Sequence, residues 1–355
     1  MKPTGVLMVG SVPGASPEEV FTRLTTALPA RLPAVPDGET GDRWNYIGWQ
    51  LKRFPAIARR NELGGTPLPS SGPPPTFTLA DIEPTAYDEA ALSSYAELRR
   101  LRQQNIVPSN VRFQIGLPSP YSVLVGHLKP EVVNAIEPLY EQRFAETLDR
   151  IVGGIPHSDV VIQWDLCFEM TALEYDRGRL TEERHQAYFS EPGGVLKGLV
   201  DRVVRLSSHI PQDVKLAFHL CYGDLRHKHF IEPENTSLLV ELANALLAHK
   251  TISQRTEWIH LPVPKSRTDA AYFAPLTGLK LSTSGSTRAP YVYLGVVHAN
   301  DEAGTKKRIE TAQATVPFPF GVATECGLGR TPPEEIDSIL RICREVTAER
   351  PEENL

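Results

Sequence analysis

One histidine and one cysteine stand two residues apart in the segment FHLCYGD, at His219 and Cys221. Residues two apart on a β-strand point to the same side, so both side chains can reach one point. An imidazole and a thiolate are good zinc ligands, and Cys326, in TECGLGR, can supply a third from another strand. The spacing indicates a zinc site, and a buried structural pair is the alternative that so short a motif leaves open.

Two acidic residues could bind a positively charged group of a substrate. Glu39 lies in PDGETGDR and Asp165 in IQWDLCFE, and each comes at the end of a short apolar run. Carboxylates at two strand ends of one sheet can hold an ammonium group between them. The alternative is a structural ion pair with an arginine, and the candidates are Arg43, Arg177 and Arg330.

His298, in GVVHAND, is a candidate general acid or base because the pKa of an unperturbed histidine lies near neutrality. A hydrogen-bonded structural histidine is an equally good interpretation. His227 and His229 are spaced like metal ligands, but their charged segment LRHKHF argues against a metal site. The spacing leaves the roles of Cys167 and Glu169 undecided.

Short apolar or β-branched runs alternate with amphipathic helical patterns along the chain. Continuous apolar runs indicate strands buried on both faces, as in parallel sheets. Eight strands are predicted, at residues 5–12, 32–36, 111–117, 159–165, 214–220, 257–263, 291–298 and 320–325. Strand count and chain length favour a (β/α)8 TIM-type barrel of the α/β class over an open doubly wound sheet, and in such barrels reactive groups collect at the carboxyl ends of the strands.

Helix start signals and periodic apolar residues predict the helices between these strands. Ser16, Pro17 and Glu19 form the pattern of a capped helix start, and Thr331 is predicted to cap the last helix, which runs to about residue 348. Three further helices are predicted at residues 130–152, 195–208 and 237–249.

The segment at residues 43–110 departs from this alternation, and we expect it to hold extra helices over the barrel mouth or rim. Within it, residues 64–75 are so rich in proline and glycine that neither a helix nor a central strand can form. We interpret this stretch as an irregular excursion within one domain of residues 1–355.

Composition limits the partners and the compartment of this chain of 355 residues. The net charge of −6 and the absence of a basic stripe argue against nucleic acid or an anionic membrane as partner. No segment approaches the ~18 apolar residues of a membrane helix. Four scattered cysteines and a start that is unlike a signal peptide favour a cytoplasmic protein with reduced thiols.

The segments that carry these residues resemble, in order, those of the catalytic C-terminal barrel of cobalamin-independent methionine synthase, in the superfamily that also contains uroporphyrinogen decarboxylase. GSVPG resembles the family's Gly-Ser-hydrophobic-Pro opening, DGETGDR resembles H-G-E-x-x-R, and IQWD resembles I-Q-I-D. FHLCYGD resembles H-x-H-x-C-Y, GVVHAND resembles G-V-x-D-I-H, and TECGLGR resembles D-C-G-L-K-x-R. The matches span nearly the whole chain.

The resemblance implies a zinc enzyme of methionine biosynthesis that transfers a methyl group to a thiol such as homocysteine. The residues that match zinc ligands are His219, Cys221 and Cys326, and His260 takes the place of the family's glutamate ligand. The first histidine of H-x-H-x-C is Ala217 in this chain.

The resemblance also implies substrate roles. Glu39 and Asp165 match the carboxylates that hold the amino group of homocysteine, and His298 is the approximate counterpart of a histidine near the transfer centre. Tyr121, in GLPSPYSVL, stands where the family has a tryptophan segment that binds folate. The methyl donor is either a folate or a corrinoid carrier.

Two other functions are compatible with the same residues. A metal-free lyase or decarboxylase-like enzyme could use the histidines and carboxylates as acid and base, and the change of ligand at His260 speaks for it. A non-catalytic protein could keep the pocket in order to sense a small molecule. Fold alone does not choose among these functions.

Overall fold

The computed structural model describes residues 2–223, 228–281 and 288–351, and within them eight parallel strands form one sheet. The strands are β1 (Val6–Leu7), β2 (Ala34–Pro36), β3 (Arg112–Pro118), β4 (Val160–Leu166), β5 (Lys215–Leu220), β6 (Thr256–Pro262), β7 (Tyr291–Val297) and β8 (Phe320–Thr324). The paired order is β1-β8-β7-β6-β5-β4-β3-β2. The predicted (β/α)8 barrel of the α/β class is confirmed.

The barrel closes between β1 and β2 beyond the ends of both strands. Ser11 and Gly38 form an isolated parallel bridge, and the Val12 amide donates to the Gly38 carbonyl oxygen at 2.9 Å. The loops that leave these two strands are therefore held together at the carboxyl end of the barrel.

Directly after β1, the backbone carbonyl groups accept hydrogen bonds from glutamine side chains of other strands. Gln114 on β3 donates to the carbonyl oxygens of Met8 and Val9 at 3.0 and 2.8 Å, and Gln163 on β4 donates to that of Val9 at 2.7 Å. These carbonyl groups therefore bond to side chains of β3 and β4. The strand predicted at residues 5–12 spans only Val6–Leu7.

The interior of the barrel is filled by an apolar layer with a polar boundary. The layer consists of Leu7, Val9, Ala34, Val161, Ala217, Trp258, Tyr293 and Ala323. At its boundary Gln163 donates to the Val9 carbonyl and, at 2.8 Å, to the Asp165 carboxylate. The Gln163 oxygen accepts from the Gln114 amide at 3.3 Å and from the Trp258 indole at 3.0 Å. Both donor and both acceptor positions of this buried amide are thus in use.

Helices follow the strands and surround the barrel. They are α1 (Pro17–Ala27), α2 (Tyr46–Leu51), α3 (Tyr87–Gln103), α4 (Pro120–Leu124), α5 (Pro130–Gly154), α6 (Phe168–Asp176), α7 (Gly194–Ser207), α8 (Ser237–Leu247), α9 (Lys250–Ser253), α10 (Ala270–Phe273), α11 (Glu302–Thr315) and α12 (Ile336–Val346). Around the ring, α1 packs against α3, α3 against α5, α5 against α7 and α7 against α8. None of the helices in the described ranges combines the length and the apolar composition that a membrane crossing requires.

The helices predicted at 130–152, 195–208 and 237–249 are confirmed as α5, α7 and α8, with ends within two residues. The predicted cap of α1 also forms, since the Ser16 hydroxyl accepts from the Glu19 amide at 3.3 Å.

The predicted cap at Thr331 is wrong. The turn Pro333–Glu335 is a 3-10 helix without a side-chain cap, and α12 begins only at Ile336. Pro332 holds an extended ψ of 131° because the proline that follows it excludes the helical conformation.

The segment at residues 43–110 contains α3, which is one of the helices that surround the barrel, and an extra part that precedes α3. α3 lies between α1 and α5, where the barrel helix of this unit belongs. The extra part is attached to the start of α5, where the ammonium group of Lys129 donates to the carbonyl oxygens of Ile57 and Thr66 at 2.9 and 2.8 Å. Residues 64–75 contain neither helix nor strand, as predicted.

The saturated hydrogen bonding of Gln163 predicts that its amide stabilises the barrel. Gln163→Met keeps the volume but leaves the Trp258 indole without its acceptor and removes one of the two donors to the Val9 carbonyl. We expect the free energy of unfolding to fall by about 1–3 kcal/mol, the cost of a buried polar group without a partner. Urea unfolding measures it, and Gln103→Met on the exposed face of α3 is the matched control. Equal stability of the two variants would contradict the role of Gln163.

Candidate metal centre and substrate cavity

Three of the predicted metal ligands come together at the carboxyl end of the barrel. His219 lies in β5, Cys221 directly follows that strand, and Cys326 lies two residues beyond β8, with the ligand atoms of all three within 4.8 Å of one another. The Cys326 sulfur is 3.5 Å from the Cys221 sulfur and 3.5 Å from Nε2 of His219. Tetrahedral zinc, with bonds of about 2.0–2.3 Å, separates a sulfur and a nitrogen ligand by roughly 3.6 Å and two sulfur ligands by roughly 3.8 Å. The donor set and its spacing fit a zinc ion.

His260 lies behind this cluster and contacts it through His219. Its Nε2 is 2.9 Å from the carbonyl oxygen of Thr324, which can only accept, so Nε2 carries the proton. Its Nδ1 is then an acceptor, 2.7 Å from Nδ1 of His219, which donates. This leaves Nε2 of His219 with a lone pair on the side of Cys326. Both nitrogens of His260 are thus engaged in hydrogen bonds.

Burial keeps both imidazole rings neutral, as this assignment requires. Burial lowers the pKa of His260 to about 3. Burial and the neighbouring His260 lower the pKa of His219 well below its usual range. A neutral ring keeps the lone pair that a metal ligand needs.

Glu39 and Asp165 approach each other across Gly116. A Cβ atom on Gly116 would lie 3.4 Å from Oε1 of Glu39 and 3.3 Å from Oδ2 of Asp165, so both carboxyl groups use the space that glycine leaves. Burial and the charge of Asp37 raise the pKa of Glu39 to about 7. Burial and the charge of Glu39 raise the pKa of Asp165 well above its usual range. Such a pair binds a cation readily, because the cation relieves the repulsion between the two carboxylates.

The turn after β2 directs Glu39 toward this position. Glu39 has a φ of 50°, which is uncommon for a residue with a side chain and marks strain of the kind found at functional sites. Asp37 holds the turn, since its carboxylate accepts from the Glu39 amide at 2.9 Å and pairs with Arg43 at 2.9 Å.

The three arginines that the sequence suggests as ion-pair partners of Glu39 and Asp165 contact other residues instead. Arg43 pairs with Asp37, and Arg177 pairs with Glu241. Arg330 lies over the ring of Trp44, 5.8 Å from its centroid. Within residues 2–223, 228–281 and 288–351 no salt bridge joins either Glu39 or Asp165 to an arginine.

A cavity of about 460 Å³ connects the ligand cluster with the acidic pair. Five of the predicted site residues line it, namely Glu39, Asp165, His219, Cys221 and Cys326. The rest of the wall comes mainly from the segments that follow the strands, including α2 and the start of α6, and is largely apolar, with Trp44, Tyr46, Ile47, Leu51, Leu63, Phe168 and Phe230. Polar groups converge at one end of an apolar chamber, which is typical of a small-molecule site.

The sequence analysis did not single out the loop residues of this wall. Trp44 and Tyr46 follow Glu39 in the same loop, and aromatic residues so close to a candidate strand end are a signal that could have identified them. Phe168 and Phe230 carry no comparable signal, because their position depends on how the start of α6 packs against a distant segment after β5: their ring centroids are 5.2 Å apart.

Tyr121 and Glu169 do not reach the cavity. Tyr121 is buried in α4 and stacks on Tyr188, with ring centroids 5.1 Å apart. Glu169 is buried and accepts from the Ser122 hydroxyl at 2.8 Å, so it ties α6 to α4. His227 lies outside the described residues.

His298 faces a second cavity of about 300 Å³, which meets the first at Cys326. Its Nε2 lies 2.9 Å from the carbonyl oxygen of Val263, and its Nδ1 lies 3.9 Å from a carboxylate oxygen of Glu325. His229 lies 3.1 Å from the other oxygen of that carboxylate. Burial lowers the pKa of His298, so its ring is neutral near pH 7.

The fold is similar to that of a B12-independent methionine synthase from Shewanella sp. W3-18-1, whose structure was determined in complex with selenomethionine. The TM-score is 0.54 and the sequence identity 13%, and the match covers 97% of this chain and 96% of that one. At this identity the likeness shows a shared barrel fold. No protein-family model matches the chain, and no curated protein matches it in sequence.

The raised pKa of Glu39 predicts a stability that depends on pH. The folded-state pKa lies near 7 and the ordinary value is 4.5, so the folded protein holds an extra proton between these values and loses stability as the pH rises through this window. Glu39→Gln removes this loss. Relative to the wild type, Glu39→Gln should therefore gain more free energy of unfolding at pH 8 than at pH 5. The difference should be about 1.4 kcal/mol for each unit by which folding raises the pKa of Glu39.

Urea unfolding of chelator-treated protein at the two pH values measures this difference. Glu310→Gln, on the exposed side of α11 and away from its first turn, is the control. A gain for Glu39→Gln that is the same at both pH values would show that the Glu39 carboxyl is not perturbed.

Proposed function

We propose that this protein is a zinc-dependent methyltransferase that moves a methyl group to the thiol of an amino acid such as homocysteine. The observation that carries the proposal is one cavity with two kinds of polar group. A His–Cys–Cys ligand set lies at one place in it, and at another lies a carboxylate pair that forms no salt bridge with an arginine of the described residues. A metal that activates a thiol and a site for an ammonium group are the two requirements of this reaction.

His219, Cys221 and Cys326 would hold the zinc ion. Zinc lowers the pKa of a bound thiol while leaving the sulfur nucleophilic. His260, which the sequence offered as a fourth ligand, instead fixes the tautomer of His219 through the Nδ1–Nδ1 hydrogen bond of 2.7 Å. Such outer partners orient metal-binding histidines and raise their basicity.

Glu39 and Asp165 would bind the amino group of the substrate. Beside them a recess of about 30 Å³, lined also by Asp37, Arg43, Tyr46 and Tyr87, is large enough for a group of the size of water or ammonium. The ammonium ion favours the ionised form of both carboxyl groups, which burial otherwise disfavours. The amino-acid ligand of the structurally similar methionine synthase supports this type of substrate.

The methyl donor, either a folate or a corrinoid carrier, would approach along the aromatic wall of the cavity. Trp44, Phe168 and Phe230 present apolar rings there. His298 lies in the adjoining cavity beside Cys326, and we propose it as the acid–base group that exchanges protons at the transfer centre. Tyr121 is buried outside the cavity lining, so the proposal assigns it no substrate contact.

Metal content tests the first part of the proposal. Protein that is chelator-washed and reloaded with zinc under reducing conditions should hold about one zinc per chain by elemental analysis. Cys221→Ser and Cys326→Ala should lose it, because each removes one of three converging donors. Cys343→Ala, in the apolar face of α12, is the control and should keep it.

Two results would contradict the zinc proposal. Full zinc retention in Cys221→Ser would place the metal elsewhere. A wild-type protein that binds no zinc would favour metal-free acid–base chemistry on the same barrel.

Thiol binding to the zinc-loaded protein tests the role of the carboxylate pair. Asp165→Asn and Glu39→Gln each remove a charged partner of the ammonium group, so the dissociation constant of homocysteine should rise about tenfold or more in calorimetry. Binding of 4-sulfanylbutanoate, which lacks the amino group, should change little. An equal loss for both thiols would show that the carboxylates shape the cavity and do not recognise the amine.

A further inference from the structure

The turn after β8 places an arginine in the wall of the substrate cavity. The Thr331 amide donates to the Leu328 carbonyl oxygen at 2.8 Å, so Gly329 and Arg330 are the two central residues of this turn. Arg330 is half-buried and lines the 460 Å³ cavity. Its guanidinium group lies over the ring of Trp44, which lines the same cavity.

Ser11, in the loop after β1, holds this turn in place. The Leu328 amide donates to the Ser11 carbonyl oxygen at 2.6 Å, and the Gly329 amide donates to the Ser11 hydroxyl at 3.1 Å. A Cβ atom on Gly329 would lie 2.9 Å from that hydroxyl oxygen and 3.3 Å from Cβ of Trp44, so glycine is needed for this close approach. The position of Arg330 is therefore fixed by the loops after β1 and β2.

The same part of the β1 loop also holds Glu39. Ser11 and Gly38 form the bridge that closes the barrel, and Glu39 is the next residue along the chain. A Cβ atom on Gly10 would lie 2.8 Å from Oε1 of Glu39, so this carboxyl group packs against the backbone directly before Ser11. Arg330 and Glu39 are thus both held at Gly10 and Ser11, and all four residues line the cavity.

The charge of Arg330 is available to a ligand. Across the described parts of the chain, residues 2–223, 228–281 and 288–351, no salt bridge joins Arg330 to a carboxylate. Contact with an aromatic ring holds a cation in place without neutralising it. The other arginine in the described wall, Arg184, already has a partner, because its Nε lies 2.8 Å from a carboxylate oxygen of Glu182.

We propose that Arg330 binds the carboxylate of an α-amino acid whose ammonium group lies at Glu39 and Asp165. This inference rests on the proposed function and names the residue that narrows its substrate class. A guanidinium group binds a carboxylate through two parallel hydrogen bonds, which fix the direction of the ligand as well as its charge. The two charged groups of an α-amino acid share one carbon atom, and the cavity wall presents groups of opposite charge at neighbouring positions. The site therefore selects a zwitterion over a simple amine.

Calorimetry with two thioethers tests this assignment on purified protein without added zinc. L-methionine carries both charged groups, and 3-(methylsulfanyl)propylamine is the same molecule without the carboxylate. In Arg330→Met the dissociation constant of L-methionine should rise about tenfold or more, and that of the amine should change by less than about twofold. Arg330→Lys keeps the charge without the paired hydrogen bonds and should give an intermediate loss for L-methionine.

Arg184→Met is the matched control, because it removes the other arginine of the described wall, and it should leave L-methionine binding unchanged. An equal loss in Arg184→Met would show that only the overall charge of the wall matters. An equal loss for both thioethers in Arg330→Met would show that Arg330 shapes the cavity. Each of these results would overturn the assignment, as would a wild-type protein that does not bind L-methionine.

Zinc content separates this inference from the proposed function. Arg330→Met should hold as much zinc as the wild type, because it removes none of the three converging donors. A wild-type protein that binds L-methionine through Arg330 but holds no zinc would support the amino-acid site and overturn the zinc-dependent transfer. A protein that holds zinc and binds L-methionine equally well after Arg330→Met would overturn the role of Arg330 alone.

Discussion

The hydrogen bonds of one buried amide connect the closure of the barrel with its reactive end. Gln163 donates to the Val9 carbonyl just after β1 and to the Asp165 carboxylate, and it accepts from the Trp258 indole. A buried amide that lost any of these partners would carry an unpaired polar group, at a cost of about 1–3 kcal/mol. The shortened pairing of β1, the packing of the interior and the direction of Asp165 therefore depend on the same side chain.

The position of the proton on the His219 imidazole also depends on a series of hydrogen bonds, and this series begins at a backbone carbonyl group. The Thr324 carbonyl fixes the proton of His260, and His260 in turn fixes that of His219. Because a carbonyl oxygen can only accept, the direction of both hydrogen bonds is set. The His219 nitrogen that faces the sulfur atoms therefore stays unprotonated. β8 thus contributes to the site both through Cys326 and through the carbonyl group of its last residue.

The cavity itself belongs to the loops more than to the strands. Strand ends supply the polar groups, but the apolar wall comes from the extra segment after β2 and from the loops after β4 and β5. Lys129 holds the extra segment by bonding to its backbone carbonyl groups on either side of Leu63, which lines the cavity. A rigid barrel that positions reactive groups and loops that shape the ligand site are the usual division of roles in this fold.

The sequence by itself predicted the barrel and five residues that line the candidate site, because strand periodicity is local and the carboxyl ends of parallel strands must converge. His219, Cys221, Cys326, Glu39 and Asp165 could be identified in this way. The tertiary structure decided the rest.

The register of β5 against β6 places His260 beside His219. The packing of α4 buries Tyr121. Register and side-chain direction result from contacts between segments far apart in the chain, so no local pattern of residues encodes them.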